Sequence, residues 1–501
     1  MFGVIALFYF YTEGLSNIYG DGISHLNIAR KVVDSSSTSL WERYVQLGSP
    51  WLPLQHLLML PLVWQDFLWR SGLAGSIVSL AAYVLSVLLF FEIGSLLGAE
   101  EGTSKQRSVS SGFAAATLLC LNPSLIYLQT TPMSEPLFIC AAAATVCSLM
   151  YWVERRTRRA LLTSAAIAAI STLTRYEAWS LLPGGFLAIV LLQQGKRRIV
   201  DALIWAAISS LGLLYWLWHN FAIYSNPLEF LTGYYSARGI FARQSEFLGW
   251  SDFASGSLLL SLGIALLASA ACCGTLSVIV ALFTLCRAVA KLFSEGLNRR
   301  PRLSVALLLT LPFSFTVYGL MSGNIQIYPL SAIALLNVRY GIGLLLLLCG
   351  LVGIWHSRQL FLVSVLVLGQ YFWMCRYGYK ELAVVQEPLR NSVYTREARA
   401  RSYLEEYLRR HPPKKKVLIC GGDRTILHAG LHYRDVKLFY DTAQGLDLEG
   451  VETIVVVEGD ALWRELSKRP LEGFICIYRV GPRPEIAVWE RLYRLSTVSE
   501  R

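Results

Sequence analysis

Apolar stretches long enough to cross a bilayer recur along this chain, and short loops rich in lysine and arginine separate them. A membrane helix needs about 20 consecutive apolar residues, and Leu73–Leu97 and Ile199–Trp218 reach that length. The 501 residues are 54% hydrophobic and only 16% charged, where a soluble chain of this size carries roughly 25% charge. The pattern is that of an α-helical polytopic membrane protein.

The net charge of +11 would suit a nucleic-acid partner, but its location argues against one. The basic residues sit between apolar runs, at Lys105 and Arg107, at Arg155, Arg156, Arg158 and Arg159, at Lys196, Arg197 and Arg198, and at Arg299, Arg300 and Arg302. That is the positive-inside distribution of a multi-pass protein. Hydropathy predicts about eleven membrane helices. They are Met1–Asn17, Leu73–Leu97, Val109–Leu128, Pro136–Val153, Ala160–Leu173, Ser180–Leu192, Ile199–Trp218, a long run from Leu258 to Lys291, Leu303–Leu320, Tyr340–Trp355 and Leu360–Met374. Alternation then puts every basic cluster on one face, and the loops 18–70 and 219–256 with the tail on the other. Met1–Asn17 lacks the basic n-region and cleavage site of a signal peptide. It is short for a span, which leaves room for a start upstream.

The loops carry their own patterns. Asp21–Val33 reads as an amphipathic helix with Ile23, Leu26, Ala29 and Val33 on one side. Trp51–Trp69, broken by Pro53 and Pro61, reads as an interfacial helix with tryptophans at headgroup level. The composition divides the chain into a transmembrane domain, 1–375, a helical linker, 376–413, and a small α/β domain, 414–501. In the last, Lys416–Cys420, Val436–Tyr440, Thr453–Val457 and Phe474–Arg479 read as strands. Gly421-Gly422-Asp423 after the first of these lacks a full phosphate-binding pattern. The ten cysteines show no metal spacing. A Cys420–Cys476 disulfide is compatible with the sequence but not required by it.

Ionisable groups beside spans are costly to keep and are read first as functional. Asp21, in Tyr19-Gly20-Asp21-Gly22, lies where the chain leaves the first apolar segment. On a helix it shares a face with His25, which would orient it or contact a substrate phosphate. Asp21 suits a general base and equally a helix N-cap. Glu135, in Ser134-Glu135-Pro136, is an acid at the same face, where Pro136 also fits a plain helix start. Two such acids could share a proton, a divalent cation or a substrate hydroxyl. Arg175 and Glu177, in Thr174-Arg175-Tyr176-Glu177-Ala178-Trp179, could pair with each other, or Arg175 could meet an anion. Arg339 with Tyr340, and Arg238 and Arg243 in the second long loop, lie on the outer face against the charge trend. They could bind the phosphate of a lipid carrier or simply snorkel to headgroups.

With Tyr-Gly-Asp-Gly before an amphipathic helix, Asn122-Pro123-Ser124 followed by Ser134-Glu135-Pro136-Leu137, and Thr-Arg-Tyr-Glu-Ala-Trp, the chain resembles the GT-C superfamily of membrane glycosyltransferases over roughly Met1–Met374. It is most similar to the glycosyltransferase family 39-like group of bacterial protein O-mannosyltransferases and aminoarabinose transferases. The resemblance implies an inverting transfer of a sugar from a polyprenyl-phosphate donor to a lipid, glycan or protein acceptor outside the cytoplasm, in the cell inner (plasma) membrane. It implies Asp21 as base, Glu135 as second acid and Arg339 on the donor phosphate, with Arg238 and Arg243 behind it. Asp21 is followed by Gly22 rather than by a second acid, so metal dependence is not implied. The Trp-Trp-Asp-Tyr-Gly signature of oligosaccharyltransferases is absent, which disfavours that branch. The rival readings are a transporter or flippase of lipid-linked sugars and a non-catalytic cell-envelope assembly protein.

Overall fold

A computed structural model of the chain describes residues 1–35, 37–101, 104–248, 252, 254–329, 335–376, 383–390, 404–413, 415–420, 425–428, 430–439, 446–458, 461–468, 473–480 and 486–491. Six helices are long and apolar enough to cross a membrane: Leu73–Glu100, Glu135–Arg155, Arg198–Tyr224, Thr275–Glu295, Pro301–Met321 and Val338–Trp355. Among the described residues, then, six helices rather than about eleven meet the length of a crossing. The remaining predicted spans form shorter helices, including Phe2–Thr12, Arg158–Ser171 and Gln359–Arg376.

Two of the shortfalls have a local cause. The predicted span Val109–Leu128 ends as a helix at Cys120 because Asn122 caps a new one, Pro123–Leu128, its Oδ1 accepting from the Leu125 N–H at 2.9 Å. An asparagine cap followed by proline at the helix start is a strong punctuation. The long run from Leu258 is two helices, Leu258–Cys273 and Thr275–Glu295, separated by Gly274 at φ 85°. A left-handed residue ends a helix, and glycine adopts it without steric cost.

The first of these two helices is tied at both ends to one connection. At its start the Gly256 N–H donates to the Met321 carbonyl at 2.8 Å. At its end the Cys272 thiol donates to the Val338 carbonyl at 3.1 Å. Met321 and Val338 bound one connection between two spans, so the helix runs along one face of the bundle.

Val338–Trp355 is the most buried span and forms the centre, with Leu344 to Leu348 nearly inaccessible. At one end of the bundle the predicted basic cluster at Arg300 and Arg302, with Lys291, finds acids. Arg302 Nη2 pairs with Glu154 at 3.2 Å, Arg300 Nε with Glu295 at 2.5 Å, and Lys291 with Glu101. Glu135 begins the 21-residue helix that ends at Arg155. At 1.5 Å per residue it lies about 30 Å from that basic end.

The tail forms a five-stranded sheet. Leaving β1 (Tyr328–Pro329) and β2 (Leu335–Leu336) as a small separate pair, its strands are β3 (Lys416–Cys420), β4 (Val436–Phe439), β5 (Val451–Val457), β6 (Phe474–Val480) and β7 (Ile486–Arg491), in the order β4-β3-β5-β7-β6. β4, β3 and β5 are parallel, while β7 and β6 continue antiparallel. The sequence predicts four of these strands and not β7. The compatible Cys420–Cys476 disulfide is not formed. Gly421-Gly422-Asp423 lies outside the described residues.

The amphipathic helix is Gly20–Asp34, and its apolar side is buried as predicted, with Ile23, Leu26 and Ala29 inside. The region read as one interfacial helix is two, Leu54–Val63 and Asp66–Arg70. One apolar cluster joins Leu26, Met59 and Trp69 of this loop to Leu404, Val417 and Leu427 of the tail. Arg30, buried, reinforces the junction. Its Nε pairs with Asp34 at 2.9 Å, Nη2 with Asp66 at 2.7 Å and with His432 Nδ1 at 2.8 Å, and its guanidinium stacks on Trp69.

Candidate active site

The helix start at Gly20 aims Asp21 into the bundle. The N-cap position is Tyr19, and no side chain caps the helix. Asp21 is therefore free of the capping role open to it, and its Oδ2 accepts from Arg339 Nη2. The glycine after it is a packing requirement. A Cβ on Gly22 would stand 2.8 Å from Pro132 Cγ, so only glycine lets this first turn lie against the loop that leads into Glu135.

Arg339 arrives from the other end of the sequence. Asn337 turns the chain at φ 58°, a left-handed conformation that asparagine tolerates. Gly341 then lets the short Val338–Ile342 helix press against the backbone of Ala268 and Ser269. So held, Arg339 engages three carboxylates with three different nitrogens. Nη2 meets Asp21, Nε meets Glu135 Oε1 at 3.0 Å, and Nη1 meets Glu387 Oε1 at 2.7 Å.

Glu135 Oε1 also accepts from Arg175 Nη1 at 2.8 Å, which makes this carboxylate the bridge between the two arginines. Arg175 binds Glu177 through Nη2 at 2.8 Å and Nε at 3.1 Å, and Ser134 Oγ at 3.2 Å. The internal Arg175–Glu177 pair is thus present together with a wider network. Tyr340 lies under both guanidiniums, at 4.9 Å from Arg175 and 5.7 Å from Arg339.

Four carboxylates, Asp21, Glu135, Glu177 and Glu387, thus share two guanidiniums. Their exposure differs sharply. The side chain of Asp21 is 37% exposed, those of Glu135 and Glu387 only 1% and 5%. Glu135 Oε2 has no hydrogen-bond partner among the described residues. A small cleft lined by Tyr19, Gly20, Asp21, Leu336, Asn337, Arg339, Glu387 and Pro388 opens onto this network.

Sequence reasoning misses Glu387, because it falls in a segment that reads as a charged helical linker. Ala383–Arg390 is a helix whose Val384, Val385, Glu387 and Pro388 are buried beside the site. The Tyr19 hydroxyl donates to the Val384 carbonyl, and its oxygen lies 3.2 Å from Glu387 Oε2. Burial pushes the Glu387 carboxyl above its ordinary range, against the pull of Arg339. The available signal is local: Val384 and Val385 precede a lone glutamate followed by proline, the same Glu-Pro order as at Glu135.

The other predicted residues fall elsewhere. His25 is buried, its Nδ1 2.8 Å from His56 Nε2 and its ring 4.8 Å from Trp51. Burial, aided by the charges of Arg175 and Arg339, lowers it to about 3, so it is a neutral imidazole beside the site. Its hydrogen bond goes to His56 and not to Asp21. Arg238 donates to the Ser322 carbonyl at 2.9 Å and is not among the residues gathered around Arg339. The side chain of Arg243 lies outside the described residues.

A divalent cation shared by Asp21 and Glu135 does not fit this arrangement. The guanidinium of Arg339 stands between the two acids and binds both. Among the described residues no group of three His, Cys, Asp or Glu side chains is arranged to hold a metal.

No family profile matches the chain. No curated protein matches it. Among solved structures, the crystal structure of an Archaeoglobus fulgidus oligosaccharyltransferase, in complex with zinc and sulfate, aligns over 91% of this chain and 67% of its own at a TM-score of 0.48 and 9% identity.

Proposed function

We propose that the protein is an inverting membrane glycosyltransferase that moves a sugar from a polyprenyl-phosphate donor to an acceptor hydroxyl or amine, with Asp21 as general base. The observation that carries this reading is the single partly exposed carboxylate, Asp21, held by a buried arginine at the mouth of a cleft. The reading places that cleft, with the tail sheet, on the extracytoplasmic side of a plasma membrane. The domain boundaries at 375 and 413 belong to the same proposal.

Arg339 Nη2 fixes Asp21 Oδ2, which leaves Oδ1 to accept a proton from the acceptor. The acceptor heteroatom attacks the anomeric carbon as its proton passes to Asp21. The bond from that carbon to the phosphate oxygen breaks, and its electron pair leaves on the phosphate. One displacement inverts the carbon. The growing phosphate charge needs a cation, and Arg339 offers a planar fork suited to phosphate oxygens. Glu135 serves as a positioning residue, because it sets the angle of both guanidiniums. Base catalysis of this kind contributes about a hundredfold to ten-thousandfold.

The test is sugar transfer by the purified full-length protein from a panel of radiolabelled polyprenyl-phosphate sugars. Product formation by wild type and its loss in Asp21→Asn supports the reading. Equal transfer by the variant overturns it.

A further inference from the structure

Glu92 is an acid inside a membrane span, and the proposed transfer chemistry makes no use of it. It lies on Leu73–Glu100, where Val84, Leu85 and Leu88 are exposed apolar side chains. An exposed apolar stripe on a span faces lipid. Glu92 stands one helical turn beyond Leu88 on that stripe and is half-buried.

A charge inside a span is costly and is kept where it has a partner or a task. The other acids at this end of the bundle have partners. Glu101 pairs with Lys291, Glu154 with Arg302 and Glu295 with Arg300. Glu100 accepts from the Arg302 and Leu303 backbone N–H groups at 2.6 and 3.1 Å. Glu92 receives the Tyr151 hydroxyl on Oε1 and, among the described residues, no basic side chain.

Tyr151 has a second charged neighbour. Arg155, one turn further along Glu135–Arg155, is exposed and lays its guanidinium over the Tyr151 ring, 5.0 Å from the centroid. Among the described residues it meets no carboxylate. One tyrosine thus carries a cation on its face and an anion at its hydroxyl, and neither charge has an ionic partner.

We propose that this corner binds a phospholipid with an ethanolamine headgroup, the phosphate on Arg155 and the primary ammonium on Glu92. Two requirements single out that class. A guanidinium fork suits phosphate oxygens, which every phospholipid offers. A carboxylate beside lipid needs a charged donor with N–H bonds to give. A primary ammonium has them, a quaternary ammonium lacks them, and a glycerol headgroup brings only neutral hydroxyls. Ethanolamine joins its two charges by a short ethyl spacer, which matches charges placed at the face and the edge of one ring. Bound in this way the lipid neutralises both side chains at once.

The experiment is native mass spectrometry of the full-length protein in detergent. It is titrated with phosphatidylethanolamine, phosphatidylcholine and phosphatidylglycerol of identical acyl chains. Wild type should retain phosphatidylethanolamine about tenfold more strongly than either of the others. Glu92→Gln, whose amide oxygen still accepts from Tyr151, should retain phosphatidylethanolamine and phosphatidylcholine equally. Arg155→Gln should weaken both of these lipids alike. Equal or stronger retention of phosphatidylcholine or phosphatidylglycerol by wild type overturns the inference, and this comparison needs no variant. An ethanolamine preference that survives in a folded Glu92→Gln protein, or retention unchanged by Arg155→Gln, overturns it as well.

Discussion

Arg339 and Glu135, 204 positions apart in the chain, meet at 3.0 Å through Nε and Oε1, and the same carboxylate oxygen receives Arg175. One oxygen atom thus ties the start of the central span to the start of another and to the loop bearing Glu177. Replacing Arg339 with glutamine should leave three acids without their common cation. Breaking a buried pair from one side costs about 3–5 kcal/mol. Thermal unfolding in detergent should show a marked drop in melting temperature, together with loss of transfer. A melting temperature equal to wild type would contradict a structural role for this network.

Asp21 is expected to behave differently. Its side chain is partly exposed, and asparagine preserves its shape. Asp21→Asn should lower turnover by about a hundredfold to ten-thousandfold while leaving the melting temperature close to wild type. A large loss of stability with proportionate loss of activity would make Asp21 structural instead.

Gly341 offers a steric test of how Arg339 is aimed. A Cβ there would stand 2.3 Å from the Ala268 carbonyl carbon, a backbone atom that cannot rotate aside. Gly341→Ala should cost about 1–3 kcal/mol through overpacking and displace Arg339, two residues away, so transfer should fall with it. Gly263, on the helix that Gly341 touches, has nothing within 4 Å of the point where a Cβ would stand. Gly263→Ala should be neutral or slightly stabilising, given alanine's advantage of about 1 kcal/mol in a helix. Similar melting temperatures for the two variants would argue against the close contact.

His25 predicts an acid sensitivity. Folded, it stays neutral down to about pH 3, whereas the unfolded chain takes up its proton near the ordinary value of about 6.5. The unfolded state binds more protons between those limits, so stability falls as pH drops through that window. The slope is at most about 1.4 kcal/mol per pH unit. Melting temperatures at pH 7.5 and pH 5 should differ less in His25→Asn than in wild type. An unaltered difference would show that His25 is not the group responsible.

Much of the site is legible in the sequence because its chemistry sits at helix starts. Asp21 and Glu135 stand out as acids at the ends of apolar runs, and Arg339 as a cation against the charge trend. Their convergence is not legible, since it depends on close backbone approaches at Gly22 and Gly341 that no periodicity encodes. Glu387 is hidden by composition: its charged neighbours make the segment look solvated, although Val384 and Val385 bury it. His25 shows the opposite error. Helical spacing puts it on the face of Asp21, but a partner from the next helix, His56, claims its ring. The number of full-length apolar helices among the described residues is smaller than the number of apolar runs for a similar reason. Hydropathy measures how apolar a run is and does not see a cap at Asn122 or a left-handed glycine at 274.

The helix Leu258–Cys273 begins and ends against the same interspan connection. A helix held in this way should contribute zero to the parity of the crossings. A reporter fused ahead of Leu258 and one fused at Gly274 would sit on the same side of the bilayer. Deleting the helix whole would leave the sidedness of everything after it unchanged, although the chain would lose one of its most apolar stretches.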